Sequence, residues 1–304
     1  MIDINKEIGK LLDGLPMTEQ LKVEAKEKIK NVLKQPVNLM IVGPTGVGKS
    51  ETINALFGSK MTKSAGGMET VTQTISKYRL DDNITIWDSP GLGDDGDMDV
   101  IHTKSIIKKL NEVDANKNPL IDIVIVIIDG SSRDLGTAYR MIIDVIMPHI
   151  TDHERILIAM NKIDLIEVDE WNREKNEPKE SLIIKLDDRI GVLKNRIMES
   201  TGVEVNPIYY SAGRIEKGIK PYNLLKLMYY MLNGIPLRKR LSTIDRMDID
   251  KDDIENNDGR EDYVGNIRDI INKAIYNTLK GIKALTEWIE PIKTGLRSLF
   301  KIFK

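Results

Sequence analysis

The stretch IVGPTGVGKS, residues 41–50, gives the strongest indication of how this chain folds. It overlaps the end of the apolar run VNLMIV (37–42) and leads into ETINALF (51–57), which has the composition of a helix. The residues from Gly43 to Ser50 fit the pattern G-x-x-x-x-G-K-[S/T], whose loop and helix start enclose phosphate groups with backbone N–H groups. Because both flanks suit the pattern, the stretch predicts a phosphate-binding loop between a strand and a helix.

This loop predicts a site for a nucleotide together with magnesium. The Lys49 side chain is expected to reach the outer phosphates, and the Ser50 hydroxyl is expected to coordinate Mg²⁺. The predicted nucleotide-binding residues of the loop and the first helical turn are Gly43, Thr45, Gly46, Val47, Gly48, Lys49, Ser50 and Glu51.

Further apolar runs predict the sheet that carries this loop. Segments with helical spacing separate them, which predicts an α/β fold with a mostly parallel sheet covered by helices on both faces. Ligands of such sheets bind at the carboxyl ends of the strands. The predicted strands are 37–42, 84–87, 121–129, 155–160 and 206–210, with the more alternating 75–80 as an edge strand.

Composition narrows the classes of protein that fit. The 304 residues are 41% apolar, and 45 basic residues against 47 acidic ones leave a net charge of −2, which gives no indication of a nucleic-acid partner. The chain has no cysteine, so disulfides and thiolate chemistry are excluded. It has neither a leader-like start nor a run of 18 apolar residues, and we therefore expect a cytoplasmic protein.

Three short motifs follow other predicted strands. DSPG (88–91) follows ITIW, NKID (161–164) follows RILIAM, and SAG (211–213) follows NPIYY. Each motif alone is typical of a turn. Together with the loop at 43–50, and in this order, they resemble the P-loop GTPase family over about residues 37–235.

The resemblance implies specific contacts to guanine. The Asp164 carboxylate would accept hydrogen bonds from guanine N1 and the exocyclic amine, and adenine lacks that donor pair. Asn161 would brace the phosphate loop, and Lys162 would lie along the base. The backbone at Ser211 and Ala212 would contact the guanine oxygen.

The remaining predicted groups surround the terminal phosphate. Asp88 would hold a magnesium-bound water, and the Gly91 N–H would contact the phosphate. The family also needs a threonine whose hydroxyl binds Mg²⁺ and whose N–H senses the γ-phosphate. Thr72 is our preferred candidate because ETVTQ resembles the septin-like branches, and Thr70 and Thr74 remain alternatives. Lys49, Thr72 and Gly91 are therefore the predicted catalytic groups.

Leu92 replaces the glutamine that orients the attacking water in Ras-type members. A hydrophobic residue at this place is shared by a translation-factor-related class with septin-like, chloroplast-import-like, dynamin-like and immunity-related branches. The resemblance therefore implies an enzyme that hydrolyses the phosphoanhydride bond of GTP slowly, giving GDP and phosphate, and acts as a nucleotide-dependent switch. A GTP-dependent ribosome or RNA assembly factor and a nucleotide-binding scaffold with negligible hydrolysis are the alternatives.

Arg133, in IIDGSSRDLGTAY (127–139), has two interpretations. The stretch resembles the arginine-bearing loop of chloroplast-import GTPases, which would make Arg133 a catalytic group or a contact of a homodimer through the G domain. The other interpretation, which we slightly favour, is a local ion pair with Asp129 or Asp134.

Outside the G domain the chain is expected to be helical or solvated. We predict an N-terminal helical segment (1–36), the G domain (37–236), a charged linker (237–262) and C-terminal amphipathic helices (263–304). Lys280–Lys304 carries six basic and two acidic residues around an apolar stripe. That segment is either an interfacial helix that binds a membrane surface or a partner, or, as we favour, a helix that packs on the N-terminal segment.

Overall fold

The apolar runs assemble into one mixed sheet in the computed structural model, which describes residues 4–58, 69–70, 75–79, 83–89, 96–214, 217–247, 257–288, 290–292 and 294. The strands of this sheet are β1 (Val37–Val42), β2 (Glu69–Thr70), β3 (Ser76–Arg79), β4 (Ile84–Asp88), β5 (Ile123–Asp129), β6 (Ile156–Asn161) and β9 (Ile208–Tyr209). A separate antiparallel pair consists of β7 (Trp171–Asn172) and β8 (Glu177–Pro178).

The order of the strands across the sheet is β2-β3-β4-β1-β5-β6-β9. The five strands from β4 to β9 run parallel, whereas β2 and β3 are antiparallel to their neighbours. The predicted edge strand, β3, therefore has the two-residue β2 outside it. The carboxyl ends of β1, β4, β5 and β6 meet at one rim, where the motifs of the sequence follow.

Helices cover both faces of this sheet. They are α1 (Ile4–Asp13), α2 (Glu19–Leu33), α3 (Lys49–Phe57), α4 (Gly96–Leu110), α5 (Gly136–Arg140), α6 (Glu180–Thr201), α7 (Leu224–Gly234), α8 (Arg240–Ile244) and α9 (Tyr263–Leu279). A π-helical turn, Met141–Ile146, continues α5. No helix in the described part of the chain is long and apolar enough to cross a membrane.

Successive strand residues face two separate cores, as the period of two in a strand requires. Leu39 and Ile41 of β1 are buried in a core shared with α1, α2, α3, α7, α8 and α9. Met40 and Val42 face the opposite core, which contains residues of α4, α5 and α6. The predicted α/β fold, with a mostly parallel sheet between helical layers, is confirmed.

The terminal helices pack on the sheet domain and on one another. Helix α9 contacts both α2 and α7. Ile282, Leu285 and Ile292, which follow α9, are buried in the same core. The helix itself ends at Leu279, although the apolar spacing predicts that it continues to Ile289. The boundaries of the four segments stay a prediction.

The segment 237–262 differs from the solvated linker that its charge predicts. Leu241 and Ile244 of α8 are buried, and Lys239 Nζ lies 2.8 Å from both carboxylate oxygens of Asp122. Asp258 is also buried and pairs with Lys226. These apolar contacts and buried ion pairs hold the described parts of the segment against the sheet domain.

The charged residues of the insertion at 167–180 predict a solvated segment, but two of its residues are buried, Trp171 and Pro178. Trp171 is buried, and its ring meets the Tyr222 ring edge to face at a centroid distance of 5.2 Å. Such an aromatic contact fixes the insertion beside the segment that follows β9.

Candidate functional site

The loop between β1 and α3 has a backbone that only glycine fits at two positions. A Cβ at Gly43 would lie 2.3 Å from the Ile127 carbonyl oxygen, and one at Gly48 would lie 2.2 Å from Asn161 Nδ2. Gly48 also has φ +95°, a left-handed conformation that glycine adopts without strain. These close approaches bring the loop against β5 and β6, at the rim where nucleotides bind in such sheets.

Lys49 and Ser50 lie at the start of α3. Lys49 Nζ donates hydrogen bonds to the carbonyl oxygens of Gly43 (2.9 Å) and Pro44 (3.1 Å), so the ammonium lies across the mouth of the loop. Ser50 is exposed, and its hydroxyl has no hydrogen-bond partner among the described residues. Both side chains are therefore at the surface that a nucleotide would meet.

Asn161 joins two of the predicted motifs. Its side chain is buried, with Nδ2 donating to the Val47 carbonyl oxygen at 2.9 Å and Oδ1 accepting from the Ala212 N–H at 2.9 Å. The predicted brace between the phosphate loop and the NKID motif is thus present as a hydrogen bond. The same amide also holds the SAG motif.

A cavity of about 230 Å³ opens beside this brace. Asp164 lines it, and Ser211 Oγ donates to Asp164 Oδ1 at 2.6 Å. Lys162 also lines it, with Nζ donating to Asp129 Oδ2 at 2.8 Å. The structure thus brings the NKID and SAG motifs together around one cavity, which Gly46 of the phosphate loop also lines.

Asp88, at the end of β4, is the candidate that would hold the magnesium-bound water. Burial raises the pKa of its carboxyl to about 6, and the nearby charge of Lys49 opposes that rise. Its Oδ1 is buried and has no hydrogen-bond partner among the residues that the structure describes. An unpartnered carboxylate oxygen and the Ser50 hydroxyl are both oxygen ligands of the kind that Mg²⁺ takes, so these residues fit the ion.

Several predicted groups lie outside the described residues. These are Thr72 and its alternative Thr74, together with Gly91 and Leu92. Thr70, the other alternative, lies in β2, and its backbone pairs with Ser76 of β3.

Arg133 is exposed on the loop after β5. Within the ranges that the structure describes, it forms no ion pair with Asp129 or Asp134, so the local pairing favoured by the sequence is wrong. Asp129 instead accepts from Lys162 and from Ser131, and Asp134 Oδ1 accepts from the Gly136 N–H at 2.7 Å. Both carboxylates thus accept hydrogen bonds from other donors.

Two parts of the site were not predicted. The ion pair between Asp129 and Lys162 could have been expected, because Asp129 ends a strand next to the one that Lys162 follows. No sequence pattern indicates the hydrogen bond between Thr52 and Tyr210, since 158 positions separate the two residues and neither belongs to a predicted motif.

Comparison with known proteins agrees with this geometry. Residues 38–162 match the family model described as 50S ribosome-binding GTPase. The mostly parallel sheet with flanking helices is consistent with a P-loop GTPase fold. The matched segment runs from β1 to the start of the NKID motif and spans less than half of the chain.

The chain is similar over part of its length to proteins from a mouse, a yeast and a bacterium. Interferon-gamma-inducible GTPase 10 of Mus musculus is 44% identical over 69 residues, which are 21% of this chain and 16% of that protein. Cell division control protein 10 of Saccharomyces cerevisiae is 39% identical over 70 residues, 19% of this chain and 22% of that protein. The solved LeoA bacterial dynamin GTPase from ETEC aligns with 94% of this chain and 46% of its own, at 13% identity and a TM-score of 0.45. The chain thus spans less than a quarter of the first two relatives and under half of the third.

Proposed function

We propose that this protein binds GTP with Mg²⁺ at the rim formed by β1, β4, β5 and β6, and hydrolyses it slowly to GDP and phosphate. The observation that carries the proposal is the Asn161 side chain, which hydrogen-bonds both to the phosphate loop at Val47 and to the SAG motif at Ala212. One buried amide thus fixes the distance between a phosphate-binding loop and a base-binding cavity.

The base is guanine in this proposal. Asp164 faces the cavity, and one carboxylate can accept two hydrogen bonds, as the N1–H and the exocyclic amine of guanine require. Ser211 holds this carboxylate by a 2.6 Å hydrogen bond, which keeps it from rotating away from the base edge. Adenine presents no matching pair of donors, so the same carboxylate discriminates against ATP.

The phosphates lie against the loop and the start of α3. Backbone N–H groups of the loop hold them, and the Lys49 ammonium exchanges its two loop carbonyls for phosphate oxygens. Ser50, Asp88 through a water molecule, and Thr72 as the proposed third ligand would hold Mg²⁺. The bound ion would neutralise negative charge at the outer phosphates. Leu92 offers no hydrogen bond to the attacking water, which supports a slow intrinsic rate.

We further propose that the protein is a nucleotide-dependent switch and that its G domain pairs with a second copy. The γ-phosphate would order the segments around Thr72 and Gly91, and hydrolysis would release them. A second copy would approach the G domain with Arg133, whose guanidinium has no partner within the described part of the chain. The buried Ile282 and Leu285 support packing of the C-terminal segment in a cytoplasmic protein rather than a membrane-binding stripe at those positions.

A second candidate function is ribosome-linked assembly. It is favoured by the description of the matched family model, which names the 50S ribosome. The net charge of −2 does not support broad contact with RNA. Cosedimentation with purified 50S subunits at physiological salt, with and without GTP, separates this candidate from a switch that acts on other partners.

Phosphate release at saturating GTP and Mg²⁺ tests the proposal. The expected result is slow release that requires Mg²⁺, is absent with ATP, and is lost in Lys49→Ala. Tight GTP binding without phosphate release would leave a nucleotide-binding scaffold. Failure to bind guanine nucleotides at all would overturn the proposal.

A further inference from the structure

A buried chain of hydroxyl groups connects the guanine side of the site to the phosphate loop. Tyr210 OH lies 2.6 Å from Thr52 Oγ1, and Thr52 Oγ1 lies 2.7 Å from the Gly48 carbonyl oxygen. Both side chains have 0% exposure. Tyr210 directly precedes Ser211 of the SAG motif, whereas Thr52 belongs to the first turn of α3.

The direction of this chain follows from counting protons. Each hydroxyl has one proton to donate, and the Gly48 carbonyl oxygen can only accept. Thr52 therefore donates to Gly48, and Tyr210 must donate to Thr52. Burial raises the pKa of the Tyr210 phenol well above its ordinary value, so the phenol keeps its proton at neutral pH.

The Gly48 carbonyl matters because it shares a peptide unit with the Lys49 N–H. In a trans peptide these two groups point in opposite directions. A carbonyl held toward Thr52 by the side-chain hydroxyl and by the Thr52 N–H (3.0 Å) therefore directs the Lys49 N–H out of the helix start. That N–H is one of the groups that enclose phosphate in such a loop.

We propose that Tyr210 is a positioning residue for the phosphate loop: acting through Thr52, it keeps the Lys49 N–H directed at the phosphates of the bound nucleotide. The inference rests on the proposed function, since it assigns Tyr210 to that same site. It adds a second tether to the one made by Asn161, because Asn161 holds the Val47 carbonyl and so directs the Gly48 N–H. Two consecutive N–H groups of the loop are then fixed from the guanine side.

Tyr210→Phe is the variant that tests this role, because it removes the phenol oxygen and leaves the ring in place. Its affinity for GDP is expected to fall about fivefold, as for the loss of one neutral hydrogen bond. Its affinity for GMP is expected to fall less, because GMP places one phosphate fewer in the loop. Tyr209→Phe is the matched control, since the Tyr209 hydroxyl bonds to Arg260 and not to the loop; its GDP affinity should stay at the wild-type value.

Thr52→Val removes the other hydroxyl of the same hydrogen-bonded pair. It provides a second test of the inference if Tyr210→Phe folds poorly. The double variant should bind GDP no more weakly than Thr52→Val, because the phenol has lost its acceptor in both. Thr52→Ser, which restores the hydroxyl, should bind GDP like the wild type. Isothermal titration of each variant, with its thermal midpoint measured without nucleotide, provides the comparison.

Three outcomes would overturn the inference: unchanged GDP affinity in Tyr210→Phe, equal losses for GDP and GMP, or additive losses in the double variant. A lower thermal midpoint with wild-type GDP affinity would assign the hydroxyl chain to stability alone. These failures differ from failure of the proposed function, in which the wild-type protein itself would not bind GDP.

Discussion

Ser50 is the residue through which the bound cation should distinguish GTP from GDP. It is exposed in the first turn of α3, and its hydroxyl has no partner within the described residues. Replacing Ser50 with Asn removes this ligand, and the Mg²⁺-dependent gain in GTP affinity should shrink about tenfold or more, whereas GDP affinity changes less. Fluorescent-nucleotide titrations with Mg²⁺ and with excess chelator measure both quantities.

The conservative variant Ser50→Thr supplies the control. It keeps a hydroxyl at the same position, so the Mg²⁺ dependence of GTP affinity should remain close to that of the wild type. Equal losses for GTP and GDP in Ser50→Asn would count against a magnesium role for Ser50.

At the residue scale, the sequence predicts the groups that belong to contiguous motifs. Asn161 ends β6 and Asp164 follows it three positions later, and their placement at the rim follows from that strand. The contact between Tyr210 and Thr52 joins residues 158 positions apart and depends on how the residue that follows β9 meets α3. No local sequence pattern indicates a contact between residues so far apart in the sequence, so this contact is visible only in the folded structure.

Among the elements, the segment that leads into α9 is fixed by one buried carboxylate. Asp258 accepts from Lys226 Nζ at 2.8 Å and from Arg260 Nε at 2.8 Å, and Arg260 also donates to the Tyr209 hydroxyl. Burial alone would raise the pKa of Asp258, but the hydrogen bonds from Arg260 and Lys226 outweigh it and hold the pKa below the ordinary value of 3.8. The start of α9 is thus tied to β9 and α7.

Asp258→Asn is expected to lower the free energy of unfolding by about 2–4 kcal/mol at pH 7, because it leaves Lys226 buried without its counter-charge. A lowered carboxyl pKa stabilises the folded state above the unfolded value, and that contribution disappears as pH falls through the folded value. The difference between wild type and variant should therefore hold from pH 7 to about pH 5 and narrow below about pH 4. Urea denaturation across this range measures it.

Glu204→Gln is the matched control for this prediction. Glu204 pairs with Lys194, but both side chains are well exposed. Its substitution should leave the free energy of unfolding unchanged at every pH. A difference for Asp258→Asn that stays constant down to pH 3 would contradict the assigned role of its charge.

The sequence predicts an element well where nearly all of its residues are apolar and buried. It predicts a segment less well where only single buried side chains hold that segment in the fold. The runs of β1, β5 and β6 are apolar almost throughout, and their strands form within two residues of the predicted bounds. The segment 237–262 is charged enough to suggest a linker, yet a few buried residues hold its described parts, 237–247 and 257–262, against the sheet domain. Lys239 and Asp258 find their counter-charges only in the folded chain.

In the whole molecule, the N- and C-terminal helices form a layer on one face of the sheet. The apolar faces of α1, α2 and α9 are buried in the core that also contains the α3 and α7 side chains. The Arg133 loop follows β5, whose carboxyl end lies at the rim that carries the phosphate loop. Its guanidinium is therefore on a part of the molecule where a second copy could meet the nucleotide.

Pairing of two G domains predicts a dependence on protein concentration. GTP turnover per molecule should rise with concentration in the wild type, because a partner's arginine stabilises developing phosphate charge. Arg133→Ala should remove that rise and leave GTP affinity intact, whereas Arg173→Ala, an exposed arginine of the 167–180 insertion, should retain it. A rate that is independent of concentration in all three proteins would exclude the paired mechanism.

In our proposal, this rim selects a guanine nucleotide through Asp164. Competition binding with GTP and xanthosine triphosphate tests it most directly in the wild type, in Asp164→Asn and in the control Asp169→Asn, which changes an exposed carboxylate outside the cavity. Asp164→Asn is expected to lose about tenfold to a hundredfold in GTP affinity and to gain affinity for xanthosine triphosphate, since a paired contact to a base edge is worth about 1–3 kcal/mol. A wild-type preference for GTP in Asp164→Asn would exclude guanine selection by Asp164.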